Sequence, residues 1–573
     1  MKRLTDLLPF LRWFPLRAPL LKADLVAGVT VALVLVPQSM AYAQLAGMPP
    51  YYGLYAAFLP VMIGALWGSS HQLATGPVAM VSLLTGSMLA NFAAPGTDQF
   101  IALAILLALI VGVMEIALGL LRLGATINFL SHPVIVGFTN AAAIIIALSQ
   151  LHKLLGIPAD RSGSFLADIW GILSRAGDTR WLTLLMGIAA FAIMWLLRKY
   201  APRWPGVLVA VAVTTVASWQ IGFENAGGAV VGAIPAGLPK LAMPQLSGET
   251  IMMLLSTAFV ITLVGFMETI SIARAMATKT RQRIDPNQEL FGQGLANVVG
   301  SVCQSFPVSG SFSRSAVNLS AGAVTGMSSV VTGVIVLVTL LAFTSLLYHL
   351  PQSVLAAIIM MAVVNLVNLR AIRHIWKAQR HDGLAAIATF AATLVFAPHL
   401  DTGILIGAAL AIVLYLYRTM RPRVVVLGRH PDGTLRDATM HDLPTSRHVI
   451  AIRFDGSLYF ANVPYFEDAV LEEVARHPEA RYVLIVCDGI NELDASGEEV
   501  IRHLVQRLRD SGVTLVFSGL KHQVLQVMER TGLVELVGSQ NLSRTEDQAL
   551  EAIHSAIGAG RLPPEDFLLR PFR

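Results

Sequence analysis

Residues 307–315 read Pro-Val-Ser-Gly-Ser-Phe-Ser-Arg-Ser, which sets the guanidinium of Arg314 among the hydroxyls of Ser311, Ser313 and Ser315. A guanidinium meets an oxyanion through two parallel hydrogen bonds, and hydroxyls add further donors. The stretch therefore has the chemistry to hold a small anion. Its flanks are apolar, and a charge inside a membrane-spanning stretch costs at least about 2.5 kcal/mol on insertion scales, which makes it functional by default. Two plainer uses compete. Small residues let helices pack closely, and a buried guanidinium can also pair with a backbone carbonyl or snorkel to the interface.

Glu268, in the run Gly-Phe-Met-Glu-Thr, is a second ionisable group well inside an apolar stretch. It is placed to take up and release a proton, although Arg274 follows closely enough for a merely interfacial carboxylate. Glu115 precedes Arg122 in the same way and reads as structural. Gln38 and Tyr42 lie one helical turn apart and line one face of the first apolar stretch, for a cavity or for packing.

The composition says what frame must hold these groups. The chain has 573 residues, 55% hydrophobic and 13% charged, with a mean hydropathy of +0.65, well outside the composition of soluble domains. Residues 1–423 carry 26 Lys/Arg and 14 Asp/Glu, whereas 424–573 carry 15 and 22. Two regions in two solvents follow, a lipid-embedded one and a soluble tail. The pI of 9.2 then reflects membrane loops and gives no argument for nucleic acid. Cys303 and Cys487 lie one in each region, which excludes a disulfide framework and makes a metal cluster implausible. No Walker-type Gly-Lys loop supports ATP-driven chemistry. The expectation is a non-enzyme without cofactor.

Apolar stretches long enough to cross about 30 Å of hydrocarbon recur at 25–46, 51–67, 75–92, 99–121, 130–152, 181–198, 205–222, 251–273, 288–303, 309–325, 329–348, 352–368, 383–398 and 402–418. Fourteen spans put both termini on one side. Loops on that side carry twenty Lys/Arg against five on the other, so both termini are expected in the cytoplasm of an inner-membrane protein. The basic, proline-broken residues 1–24 lack the pattern of a signal peptide and read as a cytoplasmic N-terminal segment.

Fourteen spans divide into seven plus seven, and an odd number per half makes related halves inverted repeats. The third span of each half is interrupted, by Thr75-Gly76-Pro77-Val78 and by residues 307–315. Such broken segments in corresponding positions are the best sequence pointer to a midplane binding site. Each half-helix would present unpaired N–H groups and a dipole end worth about half a unit charge.

At these residues the chain resembles the SulP anion transporters, the sulfate permeases and their relatives. The run VPQSMAYAQLAGMPPYYGLY at 36–55 looks like that family's signature, and ATGPVA at 74–79, IPAGLP at 234–239, ELFGQGLAN at 289–297 and GSFSRSAVN at 310–318 match further motifs. The resemblance implies an α-helical polytopic protein of seven-plus-seven inverted repeats. A core domain, spans one to four and eight to eleven, would move against a gate domain, and the protein would be a homodimer. It also places Gln38, Tyr42, Val78, Ser311, Phe312, Ser313 and Arg314 around the anion and Glu268 at the position associated with proton or sodium coupling. Val78 stands where some relatives have a bulky aromatic, as in plant sulfate carriers, so halide selectivity is not implied. Ile272 stands where sodium-coupled relatives have Thr, so the sodium site is incomplete and proton coupling is expected. Sulfate is the first expected substrate, then bicarbonate or a C4-dicarboxylate. A membrane-tethered regulatory protein and a uracil-type carrier are the rival readings.

From about residue 447 the pattern changes to short apolar runs separated by charged amphipathic segments. Strands are expected at 449–454, 482–487 and 513–517, with helices near 464–477, 497–511 and 521–531. DGSLYFAN at 455–462 and DGINELDASG at 488–497 resemble the STAS domain that SulP proteins carry. The resemblance makes Ser496 a candidate phosphorylation site and leaves a cytoplasmic partner of the tail unspecified. The plainer reading is that Asp494 and Ser496 cap the next helix. The expected domains are the N-terminal segment 1–24, the transmembrane region 25–420, a linker and first strand at 421–446, the STAS domain 447–560 and a tail 561–573.

Overall fold

The computed structural model describes residues 8–15, 17–124, 131–158, 164–201, 204–235, 237–364, 366–557 and 568. Lys2, Arg3, Arg161, Arg203, Ala236 of the third motif and nearly all of the tail 561–573 lie outside the described residues. The chain forms two compact units, Met1–Ala411 and Ile412–Arg573.

The first unit is helical. Its first half runs α1 (Ala18–Leu45), α2 (Tyr51–Ala56), α3 (Leu59–Trp67), β1 (Ala74–Gly76), α4 (Ala79–Leu89), α5 (Asp98–Leu120), α6 (His132–Ser149), α7 (Leu151–Leu155), α8 (Phe165–Ser174), α9 (Trp181–Tyr200) and α10 (Gly206–Gln220). The second half runs α11 (Gly248–Thr280), α12 (Pro286–Val302), β2 (Ser309–Ser311), α13 (Phe312–Ser320), α14 (Met327–Val338), α15 (Gln352–Val364), α16 (Leu369–Ala378), α17 (Arg380–Val395) and α18 (Leu400–Met420). Each of the fourteen apolar stretches falls on at least one of these helices, 51–67 on both α2 and α3. Among the described residues, eight helical stretches are long and apolar enough to cross a membrane by length and composition, whereas the third and tenth stretches are a short strand followed by a half-helix, as their Gly/Pro breaks imply.

Packing sorts the helices into two groups. In one, α12 lies along α5 and α3, α14 lies against α1 and α3, and α11 packs on α5 and β2. In the other, α17 lies along α6, and α15 packs on α6, α7 and α9 and also reaches α1 of the first group. Close approach needs small residues. A Cβ on Gly112 would fall 2.6 Å from the Gly294 carbonyl oxygen, and one on Gly294 would fall 2.7 Å from that of Gly112, so these glycines let α5 and α12 touch backbone to backbone.

The second unit contains β3 (Val424–Arg429), β4 (Leu435–Asp437), α19 (Ala438–His441), β5 (Val449–Phe454), α20 (Val463–Arg476), β6 (Tyr482–Val486), α21 (Ala495–Asp510), β7 (Thr514–Ser518), α22 (His522–Arg530), α23 (Leu533–Val537), β8 (Leu542–Ser543) and α24 (Glu546–Ile557). Its sheet has the order β4-β3-β5-β6-β7-β8, antiparallel at β4-β3-β5 and parallel from β5 onward. Alternation along the strands builds two cores. Ile450, Ile452 and Phe454 join the cluster with Phe466 and Leu504, while Val449 and Ala451 join Leu550 and Ile553 on the other face. Cys487 is buried in the first of these, and that burial pushes its thiol pKa up, which leaves it inert.

Candidate functional site

β1 and β2 pair antiparallel, with Ala74 opposite Ser311, Thr75 opposite Gly310 and Gly76 opposite Ser309. Each strand leads within two residues into a half-helix, α4 behind its N-cap Val78 and α13 behind its N-cap Ser311. The pairing therefore brings two helix N-termini to one place, where both dipoles favour negative charge.

Buried hydrogen bonds hold this crossing. Asn297 on α12 receives the Val308 N–H at 2.8 Å and donates to the Val308 carbonyl at 3.1 Å and to Glu115 Oε2 at 2.9 Å. Thr269 Oγ1 accepts from Gly310 N at 2.9 Å and pairs with Ser309 Oγ at 2.9 Å. Gln293 donates to Thr75 Oγ1 at 2.8 Å. Ser315 Oγ accepts from Ala74 N at 2.9 Å, so this hydroxyl takes part in the scaffold. Glu115 is buried and joins this network through Asn297. Thr269, Gln293 and Asn297 hold the crossing; Gln293 and Asn297 lie in the ELFGQGLAN motif and Thr269 beside Glu268, but none of the three was given a role from the sequence. Their signal is polar residues one turn apart, Gln293 and Asn297, inside an apolar helix.

Arg314 lies on the first turn of α13 and is completely buried. Its Nη1 donates to the Pro77 carbonyl at 2.8 Å, so the carbonyl-pairing alternative accounts for one of its nitrogens. Nε and Nη2 are buried and have no partner among the described residues. Gly76, at φ +142°, makes room for it, since a Cβ there would lie 3.2 Å from Nη2. Tyr42 and Glu268 are ionisable groups close to this guanidinium, and Tyr42 is buried on α1 together with Gln38, whose Oε1 has no hydrogen-bond partner among the described residues.

Ser311 Oγ lies 3.4 Å from Ser313 Oγ; Ser311 is buried and Ser313 exposed. Phe312 is 56% exposed and joins Met80, Phe138, Ser271 and Ile272 around a cavity of about 530 Å³ that also contains Glu268. Glu268 Oε2 is buried there without a hydrogen-bond partner among the described residues. The structure thus gathers Gln38, Tyr42, Val78, Ser311, Phe312, Ser313, Arg314 and Glu268 on α1, α4, α11 and α13. No group of three His, Cys, Asp or Glu suited to a metal occurs among the described residues.

In the second unit Asp494 is the N-cap of α21, its carboxylate accepting from Gly497 N at 2.8 Å. Ser496 lies within the first turn, half-buried, so the capping reading holds for Asp494 and not for Ser496.

Residues 21–389 match the sulfate permease family and residues 441–549 the STAS domain. "Probable sulfate transporter 4.2" of Arabidopsis thaliana is 38% identical over 91% of this chain and 79% of its own length. "High affinity sulfate transporter 2" of Stylosanthes hamata is 32% identical over 92% and 83%. Among solved structures, murine Slc26a9, an anion transporter in the inward-facing state, superposes with a TM-score of 0.89 over 96% of this chain and 94% of that one at 23% identity. The transmembrane domain of the cyanobacterium bicarbonate transporter BicA gives 0.59 over 69% and 98% at 25% identity.

Proposed function

The chain belongs to the sulfate permease family and is a multi-pass membrane anion transporter, and from that premise we propose that it carries sulfate together with a proton across the cytoplasmic membrane. The observation that supports this reading is Arg314. It is completely buried at the meeting of two half-helix N-termini, with Nε and Nη2 free of protein partners among the described residues. A divalent oxyanion offers acceptors to both nitrogens, to Ser311 and Ser313, and to the N–H groups that open α4 and α13.

Gln38 and Tyr42 close the α1 side, Val78 and Phe312 the two helix starts, and Glu268 faces the adjoining cavity as the proton site. The core group of helices then moves against the gate group to alternate access, the protein working as a homodimer with both termini in the cytoplasm. The membrane domain ends near residue 420, the STAS domain spans 447–560, and Ser496 is its phosphorylation site toward a cytoplasmic partner. Bicarbonate is the second reading of the substrate, supported by the likeness to a bicarbonate transporter.

The test is uptake of labelled sulfate into proteoliposomes with and without an inward proton gradient. Gradient-stimulated uptake in the wild type that Glu268→Gln abolishes, with gradient-independent exchange retained, is the expected result. Uptake of bicarbonate but not sulfate overturns the substrate, and stimulation that survives in Glu268→Gln overturns the proton site.

A further inference from the structure

Helix α16, Leu369–Ala378, joins α15 to α17 and has no buried residue. Its sequence, LRAIRHIWKA, sorts cleanly around the axis. At about 100° per residue, Arg370, Arg373, His374 and Lys377 fall on one side and Ile372 and Ile375 on the opposite one, with Leu369 and Trp376 along the edge between them. Ile372 and Ile375 are half-buried in a helix that packs on α17 and α6. Leu369 and Trp376 remain 58% and 42% exposed, so the apolar side is only partly covered by protein. Arg370, Arg373 and Lys377 form no ion pair with a carboxylate among the described residues. The nearest acid along the chain is Asp382, beyond a further cation at Arg380.

We propose that α16 is a lipid-reading helix that lies in the membrane interface and grips anionic phospholipid headgroups through Arg370, Arg373 and Lys377, with Leu369 and Trp376 set into the acyl boundary. A short helix with an apolar face of Trp and Leu and a basic opposite face is the composition that lies in the interface plane and gains from negative lipid. Charge complementarity selects the occupant, because these cations face outward without protein acids to satisfy them and the helix sits between two apolar helices of a membrane protein. Trp at the edge anchors the depth. The proposal rests on the membrane placement of the first unit and not on which anion is carried.

The test uses the full-length protein in vesicles of phosphatidylcholine with about one third phosphatidylglycerol, in which either lipid is brominated near the top of its acyl chain. Fluorescence quenching in the wild type minus that in Trp376→Phe isolates Trp376. The expected result is Trp376 quenching about twofold stronger by brominated phosphatidylglycerol than by brominated phosphatidylcholine, a preference that falls in high salt. The triple variant Arg370→Gln, Arg373→Gln, Lys377→Gln should lose the preference while retaining quenching by phosphatidylcholine, which shows that the helix is still seated. Equal quenching by the two lipids in the wild type overturns the proposal, as does a preference that survives in the triple variant. Absence of Trp376 quenching by either lipid also overturns it, since a protein partner then covers the face.

Discussion

The two half-helices that meet at the β1–β2 pair are built differently. α4 is apolar, opens behind Val78 without a side-chain cap and is buried on nearly every residue. α13 is shorter and two-sided, with Arg314, Ser315 and Asn318 buried and Phe312 and Ser313 exposed. The first half-helix therefore presents backbone N–H groups and a dipole, and the second adds a formal charge and hydroxyls. A helix dipole costs nothing extra on insertion, whereas each charge does. The guanidinium is shared between the halves through the Pro77 carbonyl.

The sharpest way to break this comparison is to remove the charge. Arg314→Gln takes away two charge-assisted donors, each worth about 1.5–3 kcal/mol, so anion uptake in proteoliposomes should fall by about 100-fold or more. Uptake within threefold of wild type would mean that the two halves contribute equally and that backbone alone holds the anion. Gly76→Ala attacks the same charge from the uncharged half. The new Cβ lies 3.2 Å from Arg314 Nη2 on a backbone at φ +142°, and strain of about 1–3 kcal/mol there should raise the apparent KM by about tenfold. Gly96→Ala is the control, because it also has a positive φ but nothing lies within 4 Å of its Cβ. An equal effect in both would assign the loss to backbone strain and not to the guanidinium.

Much of this architecture was legible in the chain. Apolar stretches fixed where the helices lie, because lipid forces every backbone group to be satisfied within its own segment. The Gly/Pro interruptions located β1 and β2, and the isolated Arg314 and Glu268 marked themselves by sitting where charges are expensive. The supporting polar set was not legible. Asp24 receives Val324 N, Thr325 N and Thr325 Oγ1, and Glu289 receives Ser69 N, Ser69 Oγ and Ser70 N. These partners lie hundreds of residues apart in the chain, and no local pattern announces them. Strand β3 lies in the expected first-strand region 421–446, whereas helix α16 and strand β4 were missed for a related reason. Each is a short amphipathic or apolar piece beside a span, where hydropathy is dominated by the span.

Thr269→Val separates scaffold from site within the charged half. Thr269 Oγ1 is the acceptor for Gly310 N and the partner of Ser309 Oγ, so valine leaves a buried N–H unsatisfied at a cost of about 1–3 kcal/mol. The melting temperature should drop by several degrees, and uptake should fall only about threefold, far less than in Arg314→Gln. An equal loss of uptake in both would place the register of β2, and not the charge on α13, at the centre of anion binding.

The smallest effect belongs to the second unit. Asp494→Ala removes the cap of α21 and a bond to Phe460 N at 2.9 Å, which should destabilise the STAS domain by about 1 kcal/mol. Sulfate uptake in proteoliposomes should stay within about 1.5-fold of wild type, since tail stability of that order does not change the membrane site. Uptake that instead falls in step with tail stability would show that α21 bears on transport, and the Ser496 site on its first turn would then be read as a control on the carrier.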